Sequence, residues 1–278
     1  LPFAPYVGTT PPLTAAAHAL YMRYMAMGQP VSLIDQPLSA SQLVSVKYDG
    51  IRLVLVVQEH LGLSAAWGLC RREGLWSVPC LHVPCTMVLD CELMLKSRRI
   101  IAFDIYAHDG QPCAGSYVDR LAKLAEVQLP DFMGYSIERK AFYPASVVCP
   151  QWYRENAGDD ADGLIFHDST ARLGQKCCMY KWKPVHTVDL LVGVGGHMVD
   201  NLHRIFLPRR RSQGLRLLKG EIWECAIDDD HVRPLRLRTD KKRANARHVC
   251  NDVAQAHAKA WTLESLATLF ETRKRKSI

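Results

Sequence analysis

Hydrophobic and polar positions change their spacing along the chain. In residues 11–27, apolar side chains recur at helical spacing after a Thr-Thr-Pro-Pro start, which predicts an amphipathic helix. From Leu43 apolar and polar positions alternate, and residues 53–57 then form a continuous apolar run. Both patterns are typical of β-strands, and the Asp49-Gly50 dipeptide between them predicts a tight turn that joins two strands.

The rest of the chain predicts mainly strands. We expect them at residues 86–94, 100–106, 163–167, 179–183 and 188–194, with a helix at 117–127. Short apolar runs at 204–207, 221–227 and 235–238 are separated by polar or Gly-rich turns, which is typical of a small barrel. A helix over residues 246–270 is expected near the end of the chain.

The composition indicates a folded globular chain. Its 278 residues are 48% hydrophobic and 23% charged, which excludes disordered, collagen-like and coiled-coil classes. Its longest apolar runs are far shorter than the roughly 20 residues that span a bilayer, so no membrane partner is expected. The chain starts at Leu1 without a signal-like segment, and we interpret it as an excised domain or a processed product.

Ten cysteines are spread along the chain without a C-x-x-C pair. We expect reduced thiols in a cytosolic or nuclear compartment, because no export signal accompanies them. Cys80 and Cys85 have no histidine or second cysteine pair at finger spacing, so a structural zinc site is not expected from these spacings.

The charge is unevenly distributed. The chain carries a net charge of +7, but residues 1–180 sum to −2 and residues 181–278 to +9. A basic second part suggests a polyanionic partner, although such a segment can also be an ordinary solvated face.

The segment Lys47-Tyr48-Asp49-Gly50-Ile51-Arg52 has the form K-x-D-G-x-R. It places two cations beside a turn in which glycine lets the backbone approach a ligand closely. A lysine acts as a nucleophile only when deprotonated, so Lys47 needs burial or nearby positive charge. The alternative is a surface hairpin with Lys47 and Arg52 in solvent.

Five further segments follow this one in an order that resembles the covalent nucleotidyltransferase superfamily of DNA ligases, RNA ligases and mRNA capping enzymes. They are Asp90-Cys91-Glu92-Leu93, Phe103-Asp104-Ile105-Tyr106, Asp162-Gly163-Leu164-Ile165-Phe166, Tyr180-Lys181-Trp182-Lys183-Pro184 and Arg236-Leu237-Arg238-Thr239-Asp240-Lys241. Cys91 stands where the family has glycine, and Cys70 stands where capping enzymes have aspartate before Arg71.

Within the superfamily the chain is more similar to the mRNA guanylyltransferases. The features that carry this are Gly28-Gln29-Pro30-Val31-Ser32-Leu33, the aspartate Asp162 where DNA ligases usually have glutamate, Thr187-Val188-Asp189, and the run from Arg236 to Asn245. The resemblance implies that Lys47 takes GMP from GTP and passes it to the 5′-diphosphate end of RNA.

The resemblance also implies roles for the other motif residues. Lys181 and Lys183 would neutralise the α-phosphate, and Arg52 and Arg71 would bind the nucleotide. Glu92 and Asp162 would bind Mg²⁺ or Mn²⁺, as hard oxygen ligands do, or Glu92 would hold the nucleotide ribose. Phe103 would stack on guanine, and a mobile lid would bring three residues to the β- and γ-phosphates: Arg238, Asp240 and Lys241.

Simpler interpretations of the same residues stay open. Glu92 and Asp104 can be partners of buried arginines, and Phe103 can be a core residue. Arg238 and Lys241 can belong to a basic surface that faces RNA.

The fold class implied is α+β: a two-sheet nucleotidyltransferase domain at residues 1–186, then an OB-fold β-barrel lid with a C-terminal helix at 187–278. The expected partners are an RNA 5′ end and separate RNA triphosphatase and cap methyltransferase domains or proteins. The expected location is the nucleus for a cellular protein, or the virion or host cytoplasm for a viral one. The alternative functions are an ATP-dependent RNA or DNA ligase and a non-catalytic RNA-binding module.

Overall fold

The computed structural model describes residues 4–5, 30–34, 38–39, 42–60, 63–70, 74–78, 80–175, 179–209 and 215–275. The chain divides into two compact units. The first consists of Leu1–Val31, Leu38–Lys181 and Phe270–Ile278, and the second of Ser32–Pro37 and Trp182–Leu269. The helix expected at residues 11–27 lies outside the described residues.

Most elements are strands. In chain order they are β1 (Ala4–Pro5), β2 (Val31–Ser32), β3 (Leu43–Tyr48), β4 (Ile51–His60), β5 (Leu63–Cys70), β6 (Gly74–Val78), β7 (Cys80–His82), β8 (Met87–Met94), β9 (Arg99–His108), β10 (Gln111–Pro112), β11 (Asp131–Phe132), β12 (Ser136–Arg139), β13 (Tyr143–Pro144), β14 (Ala161–His167), β15 (Met179–Trp182), β16 (Thr187–Val192), β17 (Met198–Val199), β18 (Ile222–Asp228) and β19 (His231–Leu237). The helices are α1 (Tyr117–Glu126), α2 (Pro150–Asn156), α3 (Arg247–Lys259) and α4 (Leu263–Arg275).

A large sheet has the order β1-β6-β5-β4-β8-β9-β10, with β12 added in parallel to β9. Residues 53–57 of β4 are fully buried, so this strand is covered on both faces. That explains why its sequence is a continuous apolar run rather than an alternating one. Strands β5, β6 and β12 are not among the strands expected from the sequence.

A second sheet has the order β13-β3-β14-β15-β2. Both strands around Asp49-Gly50 and the short turn between them are found, and the turn connects two sheets, because β3 belongs to this sheet and β4 to the large one. A Cβ atom at Gly50 would lie 2.6 Å from Cγ of Glu92 and 2.8 Å from the carbonyl oxygen of Leu93. Glycine is therefore required here because the turn passes directly against β8.

The described helices begin and end for local reasons. Ser116 caps α1 by accepting from the backbone N–H of Asp119, and the Asp119 carboxylate accepts from the backbone N–H of Ser116 in return. The single helix expected at residues 246–270 is wrong: Ala260 has a left-handed φ of 52° and separates α3 from α4.

The second unit contains a small closed barrel. Strands run in the order β17-β16-β18-β19. Ile205 pairs with Val199 of β17, and Arg209 pairs with Val232 of β19, so the segment between them joins the two edges of the sheet. The described residues thus confirm the expected α+β layout, a two-sheet part followed by a small barrel and C-terminal helical structure.

Two further observations concern the described residues. No helix among them is both long enough and apolar enough to cross a membrane. The eight cysteines that they include are free thiols.

Candidate active site

Lys47 and Asp162 are brought together by neighbouring strands. Lys47 lies near the end of β3, opposite Gly163 of β14. The pairing register shifts between Ala161 and Gly163, and Gly163 has a φ of 140°. A bulge of this kind redirects a side chain, and here Nζ of Lys47 donates to Oδ2 of Asp162. The Lys47 side chain is 19% exposed, so it is accessible from one side.

Glu92 and Lys140 add two charges beside Lys47. Glu92 lies on β8 opposite Arg52 of β4. Burial raises the pKa of Glu92 to about 7, although the charges of Lys140 and Lys47 act against that rise. Burial also lowers the pKa of Lys140 to about 8, with the Glu92 carboxylate acting in the opposite direction. The charged forms of Glu92 and Lys140 are therefore poorly solvated.

Lys140 was not identified from the sequence. It follows β12, and its backbone N–H donates to the carbonyl oxygen of Ala102 on β9 at 2.8 Å. Its Nζ lies 5.4 Å from the centroid of the Phe103 ring and 5.5 Å from that of Tyr48. We call Lys47, Glu92, Phe103, Lys140 and Asp162 the Lys47 cluster.

Arg52 is held from within the protein. Its Nε donates to Oδ1 of Asp90 at 2.9 Å, and its Nη2 donates to Oδ2 of Asp90 and to the hydroxyl of Tyr106. The paired carboxylate raises the pKa of Arg52 although burial opposes that rise. Its guanidinium lies 5.7 Å from the centroid of the Phe103 ring, so Arg52 supports the ring that is expected to stack on the base.

Glu92 and Asp104 are the two carboxylates that were open to pairing with a buried arginine, and among the described residues only Asp104 makes such a pair. Asp104 accepts from Nε and Nη2 of Arg120 at 2.8 and 2.9 Å in a buried pair, as the structural interpretation expects. Asp90, rather than Glu92, is the carboxylate to which Arg52 donates. Phe103 is half-buried, so part of its ring is accessible.

A second polar pair, also missed from the sequence, lies in the first unit. Oγ of Ser45 and Nε2 of His167 are 2.9 Å apart, and the His167 ring stacks on Tyr117 at 5.1 Å. Burial lowers the pKa of His167 well below its ordinary value, so the imidazole is neutral. Nδ1 of His167 has no hydrogen-bond partner among the described residues. No sequence motif joins Ser45 to His167, which are 122 residues apart.

Two further predicted residues, Lys181 and Lys183, lie on or next to the strand β15. Lys181 lies on β15, the neighbour of β14, and Lys183 follows that strand in the second unit. Arg71 lies outside the described residues. The phosphate roles of these three residues stay predictions.

In the second unit, two of the sequence segments singled out above meet at Asp189. Its carboxylate accepts from Nη1 of Arg238 at 2.8 Å and from Nζ of Lys241 at 2.9 Å. Its backbone N–H donates to Oδ1 of Asn245 at 2.7 Å. Asp240 accepts from the other side of the Arg238 guanidinium at 2.7 and 2.8 Å. We call Asp189, Arg238, Asp240, Lys241 and Asn245 the Asp189 cluster; its role at the nucleotide phosphates stays a prediction.

The donor set of the first unit fits a divalent cation. Asp162 is in contact with Lys47, and the charge of Lys47 also acts on Glu92, so the two carboxylates lie near the same ammonium. Hard carboxylate oxygens suit Mg²⁺ when phosphate oxygens and water complete its coordination.

Comparison with known proteins gives structural similarities only. No family model and no curated protein matches the chain. A mycobacterial DNA ligase D complexed with ATP and MES is 18% identical, with a TM-score of 0.48 over 78% of this chain and 96% of the ligase chain.

Two further DNA ligases have lower TM-scores. A structure from a study of Lig E DNA ligases is 15% identical, with a TM-score of 0.38 over 76% of this chain and 99% of its own. The ATP-dependent DNA ligase of bacteriophage T7, in complex with ATP, is 15% identical, with a TM-score of 0.37 over 73% and 78%.

Proposed function

We propose that the chain is an mRNA guanylyltransferase, which forms a covalent lysyl-GMP from GTP at Lys47 and transfers the GMP to the 5′-diphosphate end of RNA. The observation that carries this proposal is the position of Lys140 beside Phe103. It concerns the choice of base, which separates a guanylyltransferase from an ATP-dependent ligase with the same nucleophile.

Lys140 favours guanine over adenine. Nζ of Lys140 lies over the Phe103 ring, 5.4 Å from its centroid, so a base that stacks on Phe103 would come close to an ammonium group. Lysine has three donors and no acceptor. Guanine offers O6 and N7 as acceptors, whereas adenine presents an amino donor where guanine has O6. Burial also makes the charged form of Lys140 energetically unfavourable, so a base whose carbonyl oxygen accepts from Lys140 would bind well.

The first half-reaction uses the residues around Lys47. The Nζ lone pair attacks the α-phosphorus of GTP, a P–N bond forms, and the bond to the β-phosphate oxygen breaks to release pyrophosphate. Lys47 must lose a proton before it attacks, and Asp162 is the carboxylate to which it already donates. Glu92 and Asp162 would hold Mg²⁺ or Mn²⁺, which supplies positive charge at the triphosphate oxygens.

The second half-reaction regenerates the lysine. A terminal oxygen of the RNA 5′-diphosphate attacks the same phosphorus, the P–N bond breaks, and Lys47 takes up a proton. The basic second part of the chain suits an RNA partner. RNA triphosphatase and cap methyltransferase activities would come from other domains or proteins.

The second candidate is an ATP-dependent ligase, the activity named for the solved structures to which the chain is similar. It would use Lys47 in the same way with ATP. The difference between the two candidates therefore lies in the base and in the nucleic-acid acceptor.

Covalent labelling separates these candidates. The chain is incubated with GTP or ATP labelled at the α-phosphate and Mg²⁺, and is then run on a denaturing gel. We expect labelling by GTP and much less by ATP. Lys47→Arg should abolish it, because a guanidinium does not deprotonate to act as a nucleophile. Lys96→Arg, in an exposed turn, is the matched control and should label normally.

Other results would contradict the proposal in distinct ways. Labelling by ATP alone would identify the ligase candidate. No labelling by either nucleotide, with RNA still bound, would identify a binding module. Labelling that persists in Lys47→Arg would place the nucleophile elsewhere.

A further inference from the structure

A cluster of potential metal ligands lies at the end of the β8–β9 pair opposite its connecting turn. Cys85, His108 and Asp109 offer a sulfur, a ring nitrogen and a carboxylate oxygen that all lie within 4.8 Å of one another. Nδ1 of His108 and Oδ2 of Asp109 are 3.2 Å apart. The cluster is separate from the Lys47 cluster in its residues and does not depend on the proposed transferase activity.

The backbone holds these three residues in place. His108 is the last residue of β9 and pairs directly with Met87, the first residue of β8. The backbone N–H of Asp109 donates to the carbonyl oxygen of Thr86 at 2.7 Å, and Asp109 has a left-handed φ of 49°. The sheet therefore fixes the distance between Cys85 on one side and the His108-Asp109 pair on the other.

The donor atoms indicate which class of ion would bind. A thiolate and an imidazole are ligands of Zn²⁺ and similar transition metals, whereas Mg²⁺ and Ca²⁺ prefer oxygen ligands only. Three protein ligands leave a fourth position for water. His108 also borders a solvent-open groove with Cys113 and Lys123.

A cysteine binds a metal ion as its thiolate. Binding of a divalent ion would release the thiol proton to the buffer, and the thiolate would then coordinate the ion.

We propose that Cys85, His108 and Asp109 bind one Zn²⁺ ion, which ties the start of β8 to the end of β9. Spacing around Cys80 and Cys85 does not predict a zinc site, because His108 and Asp109 follow Cys85 by more than 20 residues. The site lies at the end of a strand pair, and none of its residues belongs to the Lys47 cluster.

The test uses the whole chain after removal of metals with a chelator, in buffer with excess Mg²⁺ to occupy sites made only of oxygen ligands. Co²⁺ is the spectroscopic probe. We expect a thiolate-to-cobalt charge-transfer band that saturates at one equivalent and is displaced by Zn²⁺. Calorimetry in two buffers of different ionisation enthalpy should report about one proton released per ion.

Two variants identify the ligand sulfur. Cys85→Ser should remove the band and weaken Zn²⁺ binding by at least about 10-fold. Cys80→Ser is the matched control, because its half-buried thiol contacts the carbonyl oxygens of His82 and Asp131 and is not in the trio. It should keep both the band and the affinity.

Some results would overturn the proposal. They are the absence of a band at one equivalent, the same band in Cys85→Ser, or an equal loss in Cys80→Ser. If Cys85→Ser does not fold, Asp109→Asn serves instead, because that side chain is 66% exposed. It should fold and bind Zn²⁺ about 10-fold more weakly, and unchanged affinity would reject the site.

Discussion

The Lys47 cluster and the second unit use charged side chains in opposite ways. In the Lys47 cluster burial outweighs pairing, since it raises the pKa of Glu92 to about 7 and lowers that of Lys140 to about 8. In the second unit pairing outweighs burial. Burial acts against ionisation of Glu224, yet hydrogen bonds from Thr187 and Arg236 lower its pKa. In the same way, Asp240 and Asp189 raise the pKa of Arg238 although burial acts to lower it.

The difference separates groups that await a ligand from groups that already stabilise each other. Charges that are poorly solvated in the free protein gain most when a ligand of complementary charge arrives. Charges that already neutralise one another hold the fold together and have less to gain. We therefore expect substitutions in the Lys47 cluster to change nucleotide chemistry, and those in the Asp189 cluster to change stability first.

The largest effect is expected at Lys140. Lys140→Met should lower the rate of labelling by GTP on the order of 100-fold, because it removes a charged donor from the base site. Labelling by ATP should change less. Chemical unfolding should show unchanged or higher stability, since the lowered pKa of Lys140 means that its charged form opposes folding at neutral pH. Equal losses with both nucleotides would remove Lys140 as the residue that selects the base.

The next effect is expected at Asp189. Asp189→Asn should lower the free energy of unfolding by about 2 kcal/mol, because Arg238 and Lys241 lose a carboxylate that is only 9% exposed. The change in the free energy of unfolding is measured by unfolding the protein in urea while its circular dichroism is recorded. Asp230→Asn, on an exposed turn where the side chain is 83% exposed, is the control and should change little. A stable Asp189→Asn variant would break the contrast between the units.

Lys241 tests whether the Asp189 cluster also has a chemical role. Lys241→Ala and Arg238→Ala should impair adduct formation from GTP by at least about 10-fold, by loss of one phosphate contact. Transfer of GMP from preformed adduct to RNA should be relatively spared, because pyrophosphate is absent from that step. Normal labelling with impaired transfer, and weaker salt dependence of RNA binding, would instead assign these residues to an RNA surface.

The smallest effect is expected from pH. Lys140 is charged in the free protein below its pKa of about 8, so affinity for GTP should fall as pH rises through that value. We expect a fall of up to about 10-fold between about pH 7 and about pH 9 in equilibrium binding, in proportion to the charged fraction. Lys140→Met should lack this component of the profile. The same slope in that variant would assign the titration to another group.

Much of the fold follows from local patterns. The continuous apolar run of β4 and the alternating pattern of β3 both predict strands, because a strand buried on two faces is apolar throughout and one buried on one face alternates. The signal is weaker in β5, where Ser64, Ala65, Ala66 and Gly68 dilute it, and that strand was not expected. The break between α3 and α4 was also not expected. Trp261 in that break donates to the carbonyl oxygen of Ile34, and local spacing does not report a contact so far away in sequence.

The sequence by itself determined the chemical types at the candidate site and their order along the chain, because Lys47, Glu92 and Asp162 stand in short motifs. Only the tertiary structure decided which charges meet. The run Glu138-Arg139-Lys140 has the composition of a surface segment. It reaches Phe103 because β12 pairs in parallel with β9, where Arg139 lies opposite Ala102.

The same physical reason applies to the proposed zinc ligands and to the turn at Gly50. Strand pairing brings His108 beside the residues that precede β8, and it sends β3 and β4 into different sheets. Such pairings are long-range and depend on how whole strands bury their faces. Local spacing therefore predicts that a strand forms, while its neighbours, and the side chains that they bring to it, are decided by the packing of the complete chain.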